Sequence, residues 1–286
     1  MLTIVLGFAT ALVYGFADFF GAVASKRIKP VAVTAAAGAI GLVLLVCLIP
    51  IFGFSFDPGA IKWGIWAGVW SAIALSCLYA SLALGPISIV SPLSAVVSAI
   101  VPAAVGIASG DTFTAWGWLA LALLLAAVVL VGFVPGDDVR LPSPTAFALS
   151  VAAGAGIGAV LICLDAAPAD SGLTPVVMLR AVSALILGLF LLFTIRKKTA
   201  DAAPNPGKMR NFWLATVAAG AFDSSANVFF LLASRAGTLT VVSVLTALYP
   251  LGTIILARVF LKEKIARTQL FGVILALGAS AILAVL

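Results

Sequence analysis

Three ionisable side chains lie inside long apolar stretches of this chain: Asp18, Arg180 and Asp223. A charge at the centre of a membrane span costs about 2.5–3.5 kcal/mol on insertion scales, so it faces a partner or an interior cavity rather than hydrocarbon. Their neighbours extend the pattern. Tyr14 stands four residues before Asp18 and Thr10 eight before it, which puts all three on one helix face. Asn227 follows Asp223 by four, and Gly220 precedes it by three. Carboxylates with an amide and a phenol on facing stripes suit a proton, a cation or a polar substrate group. Tyr14, Asp18, Asp223 and Asn227 are therefore predicted to line one substrate cavity. Arg180 lies near the membrane face where Asp165 ends its own stretch, and the expected role of the two is a structural salt bridge. The sharper alternative for Arg180 is a clamp on a substrate carboxylate.

Small polar residues mark two further stretches as substrate-binding candidates. One holds Ser91 and Ser94, with Pro92, Ser98 and Pro102 beside them; the other holds Ser243, Thr246 and Tyr249, with Pro250 and Thr253. Proline inside a span frees carbonyls and permits bending, which suits a binding or moving helix. Trp70 (four after Trp66) and Tyr79 (three after Ser76) add aromatic surfaces for the same site. Several chemistries are excluded. The chain has no His, so a His triad or a His metal site is impossible. None of GxxxxGK[ST], HExxH or GxSxG occurs, and neither a catalytic residue, nor a cofactor, nor a metal is expected. Cys47, Cys77 and Cys163 are far apart in apolar stretches, which suggests no disulfide framework.

The elements that position these residues must be membrane helices. Of 286 residues, 64% are hydrophobic and 9% are charged, with a mean hydropathy of +1.28; a soluble domain carries about 25% charged residues. About 20 apolar residues cross a bilayer as a helix. Ten spans are predicted, at about 2–24, 31–53, 60–84, 87–108, 114–134, 144–165, 173–194, 211–234, 238–260 and 266–286. Pro30, Pro58, Pro86, Pro144 and Pro175 sit at or near span starts, where a missing N–H costs little. The first span has no basic residue before it and Lys26, Arg27 and Lys29 after it, the wrong flanks for a signal peptide.

The stretch Gly85 to Val131 recurs as Gly237 to Leu283 at an offset of 152, with Ser91 on Ser243, Leu93 on Leu245 and Asp111 on Glu263. A duplicated half-molecule follows: a first five-helix repeat over 1–135, a linker over 136–143, and a second five-helix repeat over 144–286. Because five is odd, the halves enter the membrane from opposite sides, as inverted repeats around a central cavity. Asp111 and Glu263 then fall in loops or at caps. The expected fold class is thus all-α, integral membrane, with ten transmembrane helices.

Charge sets the expected orientation. The net charge of +6 suggests nucleic acid only in a soluble protein. Here Lys26, Arg27, Lys29, Arg140, Arg196, Lys197, Lys198, Lys208, Arg210, Lys262, Lys264 and Arg267 gather in the loops of one side, against Lys62 and Arg235 on the other. The basic loops are placed in the cytoplasm and both termini outside, in a cell (plasma) membrane. The expected partners are the lipid bilayer and a small-molecule substrate, with no nucleic acid. One chain suffices to close a cavity, so a monomer is expected.

The segments YGFADFFGAVASKR (14–27), LYASLALGPISIVSPLSA (78–95), DSGLTPVVMLRA (170–181) and FDSSANVFFLLASRAGTLTVVSVLTALYP (222–250) resemble the EamA-type transporters of the drug/metabolite transporter superfamily, as does LARVFLKEKIARTQLFGVILALGASAILA (256–284). The resemblance implies a basket of two inverted halves, with helices 1, 3, 4, 6, 8 and 9 around the cavity and 5 and 10 peripheral. It also implies carriage of amino acids, metabolites or drugs. One departure stands out: Arg180 lies five residues after Pro175, whereas the matching slot after Pro30 holds Ala35. The expected function is a secondary transporter, an exporter of small metabolites such as amino acids, working by alternating access. A flippase of lipid carriers or sugar conjugates is the alternative, and an integral-membrane enzyme is a weaker one.

Overall fold

The computed structural model describes residues 1–25, 30–84, 87–132, 143–195, 206–260 and 266–285. Among these residues the apolar stretches are all helical and no strand forms, apart from one isolated antiparallel bridge between Phe54 and Gly172. The first half holds α1 (Leu2–Ser25), α2 (Pro30–Phe52), α3 (Pro58–Leu84), α4 (Ile87–Ala108) and α5 (Ala115–Gly132). The second holds α6 (Pro144–Asp165), α7 (Thr174–Ile195), α8 (Pro206–Ala236), α9 (Leu239–Thr246), α10 (Pro250–Phe260) and α11 (Arg267–Val285).

Local chemistry sets the helix starts. α2, α3 and α6 begin on Pro30, Pro58 and Pro144, where the first turn needs no N–H. Asp57 Oδ1 accepts the Ala60 N–H at 2.8 Å, and Ser143 Oγ accepts that of Ala146 at 3.1 Å. Each satisfies an orphan donor of the first turn.

Among the described residues seven stretches are long and apolar enough to cross a membrane, and three shorter apolar ones, Leu93–Ala108, Ala115–Val131 and Arg267–Leu283, accompany them. The chain is thus a multi-pass membrane protein. The expected span at 238–260 holds as one apolar stretch, Leu239–Phe260, but its helix is broken into α9 and α10 at Ala247, Leu248 and Tyr249. Pro250 has no N–H to give the carbonyl of Thr246, and the turn tightens to compensate. Leu248, Tyr249, Leu251 and Gly252 each donate to the carbonyl three residues back, at 2.9–3.1 Å.

Helices in lipid gain nothing from expelling water between them, so close packing over small residues carries the assembly. α1 packs along α8, α3 along α6, and α5 along α11; α2 packs on α7 and α8, and α4 on α6 and α9. One close backbone approach joins α1 to α10. A Cβ on Gly15 would come within 2.6 Å of Gly252 Cα, and one on Gly252 within 2.9 Å of Gly15 Cα. Thr253 Oγ1 also donates to the Gly15 carbonyl at 3.0 Å. Leu185, Leu192, Phe193, Leu214 and Phe271 are exposed, as lipid-facing side chains should be.

Polar ties gather at the end that carries Met1. Thr3 Oγ1 donates to the Ala236 carbonyl at 2.8 Å, and Arg235 Nη2 donates to Gly172 O at 2.9 Å. Asp111 Oδ2 accepts from both the backbone N–H (3.2 Å) and the hydroxyl (2.6 Å) of Thr240. Asp111 thereby caps α9 from the other half of the chain, where the helix dipole favours negative charge. Glu263, its counterpart in the repeat, lies outside the described residues.

Candidate functional site

Polar residues from several spans meet at one cavity of about 140 Å³ between the helices. α1 supplies Tyr14 and Asp18; α8 supplies Asp223 and Asn227; α7 supplies Leu179 and Arg180. Ser71, Ala74, Leu75 and Leu78 come from α3, Ser98 from α4, and Ile157, Val160 and Leu161 from α6. Thr246 ends α9, and Ala247 and Tyr249 reach the cavity from the break in the ninth span. Neither α5 nor α11 contributes a lining residue, as the resemblance implies, whereas α7 joins the lining helices.

One ion pair dominates the site. Arg180 Nη2 lies 2.6 Å from Asp223 Oδ2, with the arginine side chain 6% exposed and the aspartate 33%. The pair ties α7 to α8. Tyr14 donates to Asn227 Oδ1 at 2.9 Å, and Asn227 Nδ2 donates to the Asp223 carbonyl one turn back at 2.7 Å. Both ends of the Asn227 amide are thus occupied, and the amide is fixed with its oxygen toward α1. Tyr249 hydrogen-bonds the Ser94 side chain, which links the break to α4. Two buried polar atoms on the lining have no partner: Arg180 Nε and Thr246 Oγ1.

The structure brings Tyr14, Asp18, Asp223, Asn227, Thr246 and Tyr249 together at the cavity. Ser94 stands just behind it, bonded to Tyr249. Ser243 is buried with its hydroxyl on the Thr240 carbonyl at 3.0 Å and does not line the cavity. Trp70 is also absent from the lining: it is 37% exposed, one residue away from Ser71, which does face inward. The side chains of Tyr79 and Ser91 lie outside the described residues.

The expected Arg180–Asp165 bridge does not form; Arg180 pairs with Asp223 instead. The reason is depth. Asp165 is the last residue of α6, at the end of the bundle, whereas Arg180 sits more than a turn inside α7 and reaches the cavity. Among the polar lining residues, Ser71 went unassigned in the sequence, and the cavity place of Arg180 stood there only as the alternative reading, a clamp on a substrate carboxylate. A signal for Ser71 existed, because the offset of 152 that relates the duplicated stretches carries Asp223 onto Ser71.

Comparison with known proteins adds fold and family. No curated protein matches the chain. A solved crystal structure superposes with a TM-score of 0.74 over 99% of this chain and 96% of that one, at 15% sequence identity. The fold is therefore one already seen in a protein of very different sequence. Residues 145–285 match the EamA-like transporter family.

Proposed function

We propose that this chain, an EamA-type member of the drug/metabolite transporter superfamily through residues 145–285, is a secondary transporter of small metabolites such as amino acids. The single observation that carries the reading is the Arg180–Asp223 pair, set in a cavity that both halves of the chain line. Charged side chains at membrane depth mark a substrate or ion path when they meet in such a cavity.

Alternating access around this cavity is the mechanism we propose, and three features support it. The main helix pairs map onto one another when each span is exchanged with the one five places on: α1 on α8 becomes α6 on α3, and α2 on α8 becomes α7 on α3. That is the pattern expected of two related halves that rock against each other. The ninth span is broken where it meets the cavity, and irregular backbone at membrane depth is tolerated beside a site. The polar ties at the Met1 end make that end a closed gate in this conformation. With the basic loops in the cytoplasm, as the charge asymmetry favours, the tied end is the outer one, and export is the direction we propose. The setting is a plasma membrane, and the acting unit is a monomer.

The test is counterflow into proteoliposomes loaded with unlabelled amino acids, nucleosides or sugars. Protein-dependent uptake of at least one labelled solute is expected, and it drops in the Asp18→Asn and Asp223→Asn variants. Liposomes that exchange every solute no faster with the protein than without it would end the transporter reading.

A further inference from the structure

The strongest interaction in the cavity is one that a substrate has to disturb. Arg180 is 5% exposed and holds Asp223 through Nη2, while its Nε has no acceptor. A guanidinium grips a carboxylate best through two parallel N–H bonds, and a fork that leaves Nε idle is only partly used. A ligand carboxylate that takes both Nε and Nη2 is the better partner. Asp223 is placed to give way, since a third of its side chain is exposed to the cavity. Asn227 does not compete for Arg180, because its amide is held between Tyr14 and the Asp223 carbonyl. Thr246 Oγ1, also buried and idle, offers a second open donor on the same lining.

Charge balance then fixes the rest of the ligand. A carboxylate that leaves Arg180 needs a new positive partner at the same depth. A substrate ammonium supplies it, and Asp18, exposed in the same cavity, is a second acceptor. The facing wall of Leu75, Ile157, Val160 and Leu161 accepts an apolar body.

We propose that Asp223 is a built-in surrogate for a substrate carboxylate: a ligand bearing a carboxylate and an ammonium on an apolar body displaces Asp223 from Arg180, and the freed Asp223 receives the ammonium. Arg180 is then a specificity-determining residue rather than a tie between helices. The proposal rests on the transporter reading above and names the substrate chemistry for it.

The experiment uses the full chain in lipid nanodiscs for binding and in liposomes for counterflow, with L-leucine, 4-methylpentanoate and 3-methylbutan-1-amine as probes. These share one apolar body and differ only in their charged groups. Wild-type protein is expected to bind leucine at least about tenfold more tightly than the amine, the effect of one charge-assisted bond. The Asp223→Asn variant removes the surrogate and is expected to bind 4-methylpentanoate about tenfold more tightly than wild type. That gain shows that a ligand carboxylate reaches Arg180 once Asp223 is neutral. The double variant Arg180→Gln with Asp223→Asn leaves no orphan charge, and it is expected to lose the preference for leucine over the amine. Equal binding of leucine and amine by wild type overturns the proposal, as does a preference that survives in the double variant. If some other solute shows counterflow and leucine neither binds nor moves, the proposal falls while the transporter reading stands. Absence of counterflow for every solute removes the transporter reading itself.

Discussion

The cavity has two walls, and each is a packed pair of helices with its own chemistry. The α1–α8 wall presents Tyr14, Asp18, Asp223 and Asn227; the α3–α6 wall presents Ser71, Ala74, Leu75, Leu78, Ile157, Val160 and Leu161. The scaffolds of the two walls are alike. Gly68 of α3 lies against Val182 of α7, and Gly220 of α8 lies against Ala37 of α2. The two glycines are separated by the same offset of 152 that puts Ser71 in the place of Asp223 and Leu75 in the place of Asn227. Close packing is retained in both walls while polarity is concentrated in one. A cavity so divided orients its occupant, charged end to α1–α8 and apolar body to α3–α6, which a uniformly polar cavity does not do.

The largest effects should come from breaking the pair that ties the polar wall to Arg180 of α7, and they should be unequal. Asp223→Ala strands a guanidinium whose side chain is 6% exposed. Removing one partner of a buried pair costs about 3–5 kcal/mol, because the other charge stays buried and uncompensated. Arg180→Ala strands a carboxylate that is 33% exposed to the cavity and keeps part of its hydration. Unfolding midpoints of the purified protein should therefore fall further for Asp223→Ala than for Arg180→Ala. Equal losses would mean that the arginine is wet and the polar wall less enclosed than its geometry requires.

A charge placed on the other wall probes the opposite property. Leu161 is 3% exposed on α6. Leu161→Asp puts a carboxylate on the apolar α3–α6 wall at membrane depth, at a cost of about 2.5–3.5 kcal/mol. Stability should drop accordingly, and binding of ligands with an apolar body should weaken more than that of small polar ones. An unchanged unfolding midpoint would contradict the dry character of the α3–α6 wall.

How much of this was legible beforehand differs between the walls. Asp18, Asp223 and Asn227 announce themselves, because an ionisable or amide group in a run of Leu, Val and Ala has few stable places to go. Fold class was equally legible, since 64% hydrophobic composition and proline punctuation leave few options but membrane helices. The apolar wall is silent in the sequence: Ile157 and Leu161 look like the lipid-facing residues around them. Trp70 misled for the same reason, since nothing in a one-dimensional pattern separates a lipid-facing aromatic from one lining a cavity. The pairing of Arg180 with Asp223 rather than Asp165 depends on depth and on how α7 is rotated against α8, neither of which spacing alone provides. The break before Pro250 was legible as a bend; that it brings Ala247 and Tyr249 to the cavity was not.

A smaller effect is expected where α1 of the polar wall meets the broken span. Gly252→Ala brings a methyl group against the Leu12 carbonyl and the Gly15 Cα. Overpacking of this kind costs about 1–3 kcal/mol. If α1 and α10 must slide during transport, the counterflow rate should fall by more than the stability loss explains. A rate that falls only in step with stability makes the contact a static one.

Tyr14→Phe is the finest test of the comparison, because it removes one hydrogen bond and leaves the shape of the wall unchanged. The lost bond is the 2.9 Å contact from the phenol to Asn227 Oδ1. Asn227 stays in place, since its Nδ2 remains on the Asp223 carbonyl at 2.7 Å. What changes is one amide oxygen facing the cavity without a donor. That costs about 1 kcal/mol of stability if the cavity is dry at this point, and less if water or a ligand ammonium satisfies the oxygen. A ligand that carries an ammonium should therefore stabilise Tyr14→Phe more than it stabilises wild type, measured as the ligand-induced shift in unfolding midpoint. On the apolar wall, Ile157→Val removes one methylene at a similar cost of about 0.5–1.5 kcal/mol. No charged group can fill that loss, so the ligand shift should match wild type. If both variants respond to the ligand alike, the division of labour between the walls does not extend to Tyr14.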